Sequence, residues 1–408
     1  MEKISDEGLA IMLLTSDLLY RKTKDVSQKP FTPGEWNKFA ALLRNSSYAT
    51  PASLYGKNEE VIMKDLLVDR ALAERVCSLM KYAGNMAIEI DRLSSLGIWI
   101  ATRGDKNYPQ RVKQYLKEQS PPFFYGAGNG ENLRFSAVGF VGSRDADPQS
   151  IDFTQRIVRR VVEEGALVVS GGAKGIDLIS QTEALTHGGR VVSFVHSELE
   201  VLIKKKEWRK TIIDGNLTLL SAVHPSSRFT GFNAMGRNKY IYTHSKGTVV
   251  VAANNKGGTW EGANENLKNS WVPLIIRTGQ DVPEGNRSLL EKYRQHPLVI
   301  PFVEESGQSI IEILKKAKNG SSSSSESIGV NNSDHSSDLY SIVWPIIQAE
   351  IQKGYNFQEL CKTLNVLPEQ LKLWMDKGYK DGESNKTNVN TVDSISNRTE
   401  NIKQGTLF

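Results

Sequence analysis

Apolar positions in residues 1–115 recur at helical spacing: Trp36, Phe39, Ala40, Leu42 and Leu43 form one set, and Leu66, Leu67, Ala71, Val76 and Leu79 another. A stripe of that period buries one face of a helix. Pro51 and Gly84 interrupt it, so residues 1–115 are expected to form a helical N-terminal domain built of short helices. Tyr108-Pro109 and Pro121-Pro122-Phe123-Phe124-Tyr125-Gly126 follow, where the prolines exclude a helix and predict an extended connector.

From Phe135 the pattern changes to short apolar runs. Phe135–Val141, Ala166–Val169, Arg190–Val195, Leu217–Ala222, Thr248–Ala252 and Val272–Ile276 read as buried strands with helical stretches between them. Asp147-Pro148 supplies an N-cap followed by proline at the first helical position, and Ile151, Thr154, Ile157, Val158, Val161 and Val162 then share one helical face. Strands alternating with helices predict an α/β fold with a doubly wound parallel sheet, assigned to residues 116–317. Beyond it, Ser321–Ser325 and the Asn, Asp and Ser that continue to Asp338 cannot bury enough apolar area to offset their ordering entropy. Residues 318–338 are therefore expected to be a Ser-rich linker. Periodicity returns in residues 339–380 with Val343, Ile346, Ile347 and Ile351, then Leu360 and Leu364, then Leu371 and Trp374, as in a small helix-turn-helix domain. The polar segment 381–408 reads as a disordered tail.

Composition narrows the class. With 39% hydrophobic residues among 408, the chain is an ordinary globular protein and not a disordered one. No stretch approaches the roughly 20 apolar residues that span a bilayer. The start, Met1-Glu2-Lys3-Ile4-Ser5-Asp6-Glu7, lacks the basic and apolar regions of a secretory signal. A cytoplasmic protein with no membrane partner is expected. The two cysteines, Cys77 and Cys361, form neither a CxxC site nor a disulfide framework, and the six histidines show no metal-ligand spacing. No metal and no cofactor are expected. The net charge of +5 is small, but residues 134–300 carry 22 Lys and Arg against 16 Asp and Glu, a net of +6, which leaves −1 for the rest.

That basic excess coincides with the loops that carry candidate chemistry. In an open α/β sheet, ligands gather at the carboxyl ends of the strands, where glycines let backbone amides approach and helix N-termini attract anions. Gly142-Ser143-Arg144, Ser170-Gly171-Gly172-Ala173-Lys174-Gly175 and Gly257-Gly258-Thr259 each follow a predicted strand, and together they suggest one phosphate-lined edge. Tight turns need glycine with or without a ligand, so no single loop decides the matter. The dinucleotide fingerprint G-x-G-x-x-G and the Walker A sequence are both missing, which disfavours NAD binding and P-loop ATP hydrolysis. Arg228 through Ile241 adds cations and aromatics, among them Phe229 and Phe232, a mixture suited to a single strand. The plain alternative is that both rings anchor the loop to the core. Lys204-Lys205-Lys206, with Arg209-Lys210, is either a solvated helix face or a backbone-tracking patch.

The ordered set Tyr108-Pro109, Pro121-Pro122-x-Phe124-Tyr125, Gly142-Ser143-Arg144, Ser170-Gly171 through Asp177, Gly188-Gly189, His224-Pro225 and Gly236-Arg237-Asn238-Lys239-x-Ile241 resembles the DNA-processing protein A family (DprA, also called Smf) over about residues 100–280. The resemblance implies a cytoplasmic single-stranded DNA binder with a Rossmann-like core and a winged-helix-like C-terminal domain. It also implies a homodimer that loads the RecA recombinase. Carried onto this chain, it implies phosphate contacts from Ser143 and Arg144 and from the amides around Gly142, Ser170, Gly171, Gly172 and Gly175. Lys174, Arg237, Asn238 and Lys239 would lie nearby. Read from the residues themselves, Lys204, Lys205, Lys206, Phe232, Gly257, Gly258 and Thr259 are candidate auxiliary contacts. The chain departs from the family pattern at His196-Ser197-Glu198, at Lys239 where the family has Arg, and at Gly257-Gly258-Thr259. A divergent member serving in phage defence, beside a co-encoded toxin or defence protein, fits the same departures.

Two other classes compete. Gly257-Gly258-Thr259-Trp260-Glu261 distantly resembles the nucleotide loop of phosphoribohydrolases, although the acid falls two residues after Thr259 where three are usual. That would make the chain a nucleotide-binding sensor or enzyme. An antitoxin-type interaction scaffold is the third. A non-enzymatic single-stranded DNA-binding protein acting in DNA processing and recombination is the expectation with most support.

Overall fold

Valine-rich runs bounded by turns can satisfy their backbone groups only by pairing with one another, and here they do so in one nine-stranded sheet. The computed structural model describes residues 4–20, 28–304, 308–321, 347–348, 351, 354–364, 368, 371–372 and 375. Strands β3 (Ala137–Gly142), β4 (Leu167–Ser170), β5 (Val191–Phe194), β6 (Leu217–Ser221), β7 (Gly247–Ala252), β8 (Leu274–Arg277) and β9 (Val299–Phe302) pair in parallel. Their order is β6-β5-β4-β3-β7-β8-β9. The chain winds outward from β3 to β6, crosses back, and winds the other way from β7 to β9. The expected doubly wound α/β sheet is therefore present, with its switch point between β3 and β7.

Both faces of this sheet are covered, which is why its strands are apolar throughout and do not alternate. Helix α7 (Pro148–Glu163) covers one face with Phe153, Ile157, Val158 and Val161. Its start is as the sequence indicates: Asp147 accepts from the Ser150 amide at 2.7 Å and from the Ser150 hydroxyl at 3.0 Å. Arg277 on β8 donates to the Ser150 hydroxyl at 2.8 Å, tying the sheet to that helix start. At its far end, Glu164 accepts from the amides of Ile310 and Ile311, capping α14 (Ile310–Ser321). That helix continues into the segment expected to open the linker.

The N-terminal part is helical as expected, with α1 (Asp6–Thr15), α2 (Pro33–Arg44), α3 (Glu59–Leu66), α4 (Arg70–Met80) and α5 (Ala83–Ser95). Trp36, Phe39, Leu43, Leu66, Val76 and Leu79 are buried, whereas Leu42 and Leu67 are exposed. Leu67 ends α3 in the left-handed region, which turns its side chain out of the stripe. The expectation of helix alone fails at Ile98–Thr102. This segment is strand β1, and the supposed connector Phe123–Ala127 is strand β2. They pair antiparallel with each other, and β2 pairs antiparallel with β6. Trp99 lies across its register partner Gly126, where an added Cβ would come within 2.3 Å of the ring. Prolines at 121 and 122 stop a helix but permit a strand to begin right after them.

Contacts divide the chain into Met1–Glu326 and Ser327–Phe408. In the second unit Ile347, Leu360 and Leu371 form a small buried cluster, and one described helix, α15 (Phe357–Leu364), carries Leu360. Most of the expected linker and helix-turn-helix residues, and the whole of the expected tail, lie outside the described residues. Among the described residues no helix is long and apolar enough to cross a membrane.

One side chain brackets the switch-point half of the sheet. Asn286, fully buried on α13 (Glu284–Lys292), accepts from the Ala253 amide at 2.7 Å and donates to the carbonyls of Val251 at 3.1 Å and Arg277 at 3.0 Å. It joins the end of β7 to β8. Asn286→Ala strands these groups at about 1–3 kcal/mol each, so urea denaturation is expected to show a stability loss of roughly 3 kcal/mol. A loss below about 1 kcal/mol would mean that water takes over the bracket.

Candidate nucleic-acid interface

The loop after β3 is held where it is by the start of α8 (Ile176–Thr186). Gly175 takes φ +76°, and a Cβ there would stand 2.2 Å from the Ser143 carbonyl oxygen. Only glycine meets both demands. The Ile176 amide donates to that same carbonyl at 3.2 Å. Ser143 and Arg144 are thereby laid over the N-terminus of α8, which has no side-chain cap. The Ser143 hydroxyl is partly occupied, since it bonds both the amide and the carbonyl of Asp145 at 3.1 Å. Arg144 is exposed.

Beneath this loop lies a buried ion pair. Arg237, on α11 (Gly231–His244), is 5% exposed and reaches Asp177 at 3.5 Å. Its guanidinium fills the space over Gly171, where a Cβ would stand 1.4 Å from Nη1. Burial drives the Asp177 carboxyl up while Arg237 pulls it back, and burial pulls Arg237 down. Nε and Nη1 of Arg237 have no hydrogen-bond partner among the described residues. Leaving buried donors unfilled is costly, and Arg237 is among the residues that line a cavity.

The cavity, about 420 Å³, sits at the carboxyl ends of β3 and β7. Arg144, Arg237 and Lys256 supply its cations, and Gly257, Gly258 and Thr259 its far wall. That wall is the start of α12 (Gly258–Lys268), a second helix N-terminus without a side-chain cap. Asn238 donates to the Gly258 carbonyl at 3.0 Å and fixes the wall to α11. Two helix N-termini and a buried guanidinium converging on one space favour an anion.

Phe229 is one of the cavity's lining residues, and Phe232 follows three residues later on α11. Phe229 is 51% exposed and Phe232 87%, so neither anchors its loop in the core. Arg144 lies 5.6 Å from the Phe229 ring centre, and the His196 ring packs edge-on against the same phenylalanine at 5.0 Å. Exposed rings beside cations can stack bases while the cations hold the backbone.

The remaining expected residues are scattered more widely. Ser170 is fully buried and donates its hydroxyl to the Asp177 carbonyl at 2.8 Å, so it shapes the turn and offers no hydroxyl to a ligand. Gly172 turns the chain at φ +65°, close to Ser193 and Trp208. Lys174 is exposed on the turn, and Lys239 lies 5.6 Å from the Tyr240 ring centre. Lys204 and Lys206 line a separate groove. Glu261, the acid of the phosphoribohydrolase-like loop, is exposed on α12 and outside the cavity lining. Sequence reasoning passed over His196 as a site residue. Its position just past the end of β5 is the signal that could have found it, because ligand-facing groups collect there.

A protein-family model described as DNA recombination-mediator protein A matches residues 99–295. DNA processing protein DprA of Streptococcus pneumoniae is 30% identical over 156 residues, covering 38% of this chain and 54% of that protein. Protein Smf of Synechocystis is 26% identical over 164 residues, covering 38% and 40%. The chain spans about half the length of the curated relatives it matches. Among solved structures, DprA from S. pneumoniae aligns with TM-score 0.49 and 19% identity over 76% of this chain and 98% of that one. DNA processing protein A from Helicobacter pylori, solved for its single-stranded DNA binding mode, aligns with TM-score 0.44 and 22% identity over 54% and 96%.

His196 makes the electrostatics of the rim measurable. Burial first, then Arg237 and Arg144, lower its pKa from 6.5 to about 4. The unfolded chain therefore takes up this proton before the folded one does, so the contribution is present above pH 6.5 and lost as pH falls towards 4. The thermal midpoint is expected to drop across that window, and to drop less in His196→Gln. Equal pH dependence in the two proteins would assign the drop elsewhere.

Proposed function

Residues 99–295 make this chain a member of the DNA recombination-mediator protein A (DprA/Smf) family, and from that premise we infer that it is a single-stranded DNA-binding protein acting in DNA processing and recombination. The observation that carries the inference is Arg237, a buried guanidinium with two unfilled donors on a residue that lines the switch-point cavity. A phosphate held in the cavity would complement the positive charge that Asp177 offsets only in part. Arg144, Lys174, Lys256 and the amides at the two helix starts would hold neighbouring phosphates. Phe229 and Phe232 offer ring faces to bases without reading their edges, so binding is broad in sequence and steep in salt.

On this reading the chain is a binding protein and not an enzyme. A homodimer is the working unit we favour, and RecA recombinase is the partner that would receive the strand. A co-encoded toxin or defence protein is the alternative that the neighbouring gene distinguishes.

The test is a titration of single-stranded against double-stranded DNA at two salt concentrations, with Arg144→Ala/Lys174→Ala beside the parent. The parent is expected to prefer the single strand. The double variant should bind at least about tenfold more weakly, with a log–log salt slope shallower by about 1.4, or roughly 0.7 per lost phosphate contact. Unchanged affinity and slope in a folded variant would remove these residues from the site.

A further inference from the structure

Five cations stand within the seven residues Lys204–Lys210: Lys204, Lys205, Lys206, Arg209 and Lys210. They follow β5 on the short helix α9 (Leu199–Leu202), the turn after it, and α10 (Lys206–Ile213). Lys204, Lys206, Arg209 and Lys210 line an open groove of about 350 Å³ together with Ile213 and Asp214. None of the five takes part in an ion pair or side-chain hydrogen bond among the described residues, although Lys205 lies 5.8 Å from the Trp208 ring centre. Surface arginines elsewhere behave differently: Arg92 reaches Glu200, Arg156 reaches Glu304 and Arg159 reaches Glu183. Lys206 and Lys210, four residues apart on one helix, repel each other, as do Lys205 and Arg209. The fold tolerates a concentration of positive charge here that it neutralises at those other positions.

The groove also has a fixed relation to the cavity. Trp208, 7% exposed, packs α10 onto the turn after β4, with Cη2 3.3 Å from where a Gly172 Cβ would stand. The next residue back, Gly171, is the one over which Arg237 lies. Strand β5 is two places from β3 in the sheet, about 10 Å at the usual strand spacing. The helix start and the cavity therefore share the carboxyl edge.

We propose that the α10 groove binds backbone phosphates of the same single strand whose neighbouring phosphates occupy the cavity, extending one footprint from β7 across β3 to α10. The proposal rests on the single-strand reading above. A strand fits the groove better than an acidic protein does. Ile213 is its only apolar lining residue, whereas a protein interface needs an apolar centre. The Trp208 ring is buried against Gly172 and cannot stack a base, so the contact is to phosphates alone and is blind to sequence.

The experiment uses the full chain and two oligothymidylates, of about 5 and about 25 nucleotides, titrated across a salt series. The variant is Lys204→Ala/Lys206→Ala/Arg209→Ala/Lys210→Ala, with its thermal midpoint checked against the parent. The short strand, which fills the cavity alone, should bind within about twofold of the parent. The long strand should lose about tenfold or more at low salt, with a slope shallower by about 2 to 3. Equal loss for both strands, or no loss for either, overturns the proposal, and no loss would point to an acidic protein as the occupant. A parent that binds neither strand would defeat the single-strand reading itself, and the groove proposal with it. A parent that binds both, beside a variant that matches it, defeats the groove alone.

Discussion

The pair between Arg237 and Asp177 is the constraint around which the candidate site is arranged. Burying a guanidinium costs several kcal/mol of hydration unless charge and hydrogen bonds offset it. Here the offset is partial: Asp177 stands 3.5 Å from Nη1, and two of the guanidinium nitrogens have no hydrogen-bond partner. A bidentate pair would have been more comfortable and would have left nothing for a ligand. Gly171 makes the burial sterically feasible, and Gly175 lets the β3 loop close over the same region. Substituting either glycine would displace backbone or guanidinium, so the glycines serve the arginine as much as the turn.

The winding of the sheet explains why these parts meet. Loops after β3 and β7 belong to segments about a hundred residues apart, and they become neighbours only because the chain reverses its direction of winding between them. Helix α8 starts after β4 and α12 after β7, the strands on either side of β3, and Asp177 of the one and Gly258 and Thr259 of the other line one cavity. Neither start is capped by its own side chain. Helices α7 and α11 have such a cap, from Asp147 and Thr230, whereas α10 and α13 do not. At α8 and α12, which both contribute lining residues to the cavity, an anion would serve as the missing cap.

Much of this was legible from residue order. Six apolar runs became strands within a residue or two, because fully buried parallel strands leave an unmistakable apolar signature. The Asp147-Pro148 cap reads as directly. Strands β1 and β2 did not, since Ile98–Thr102 is half-buried and sits at the end of a helical stretch, and the prolines before β2 look like loop. The short β9, whose third residue is Pro301, escaped for the same reason. At the site, sequence order singled out the glycine loops and Arg237 but could not say which side they faced. Ser170, expected among the residues whose amides meet phosphate, has its hydroxyl turned inward to the Asp177 carbonyl. Phe229 and Phe232 looked as much like anchors as stacking platforms, and only their exposure separates those roles.

The two basic regions differ in what they can contribute. Arg237 lies in a low-dielectric setting where salt screens poorly, so its interaction with an anion is short-ranged, geometrically demanding and persistent as ionic strength rises. Lys204, Lys205, Lys206, Arg209 and Lys210 act through water, where a Debye length of about 8 Å at physiological salt limits each of them. On the single-strand reading, their joint field would draw a polyanion towards the carboxyl edge while doing little to position it. Position then comes from the cavity, where the fold has already ordered its donors before any ligand arrives. That division assigns attraction to the exposed helix and placement to the buried arginine, and it accounts for a modest net charge of +5 sufficing for a protein read as a nucleic-acid binder.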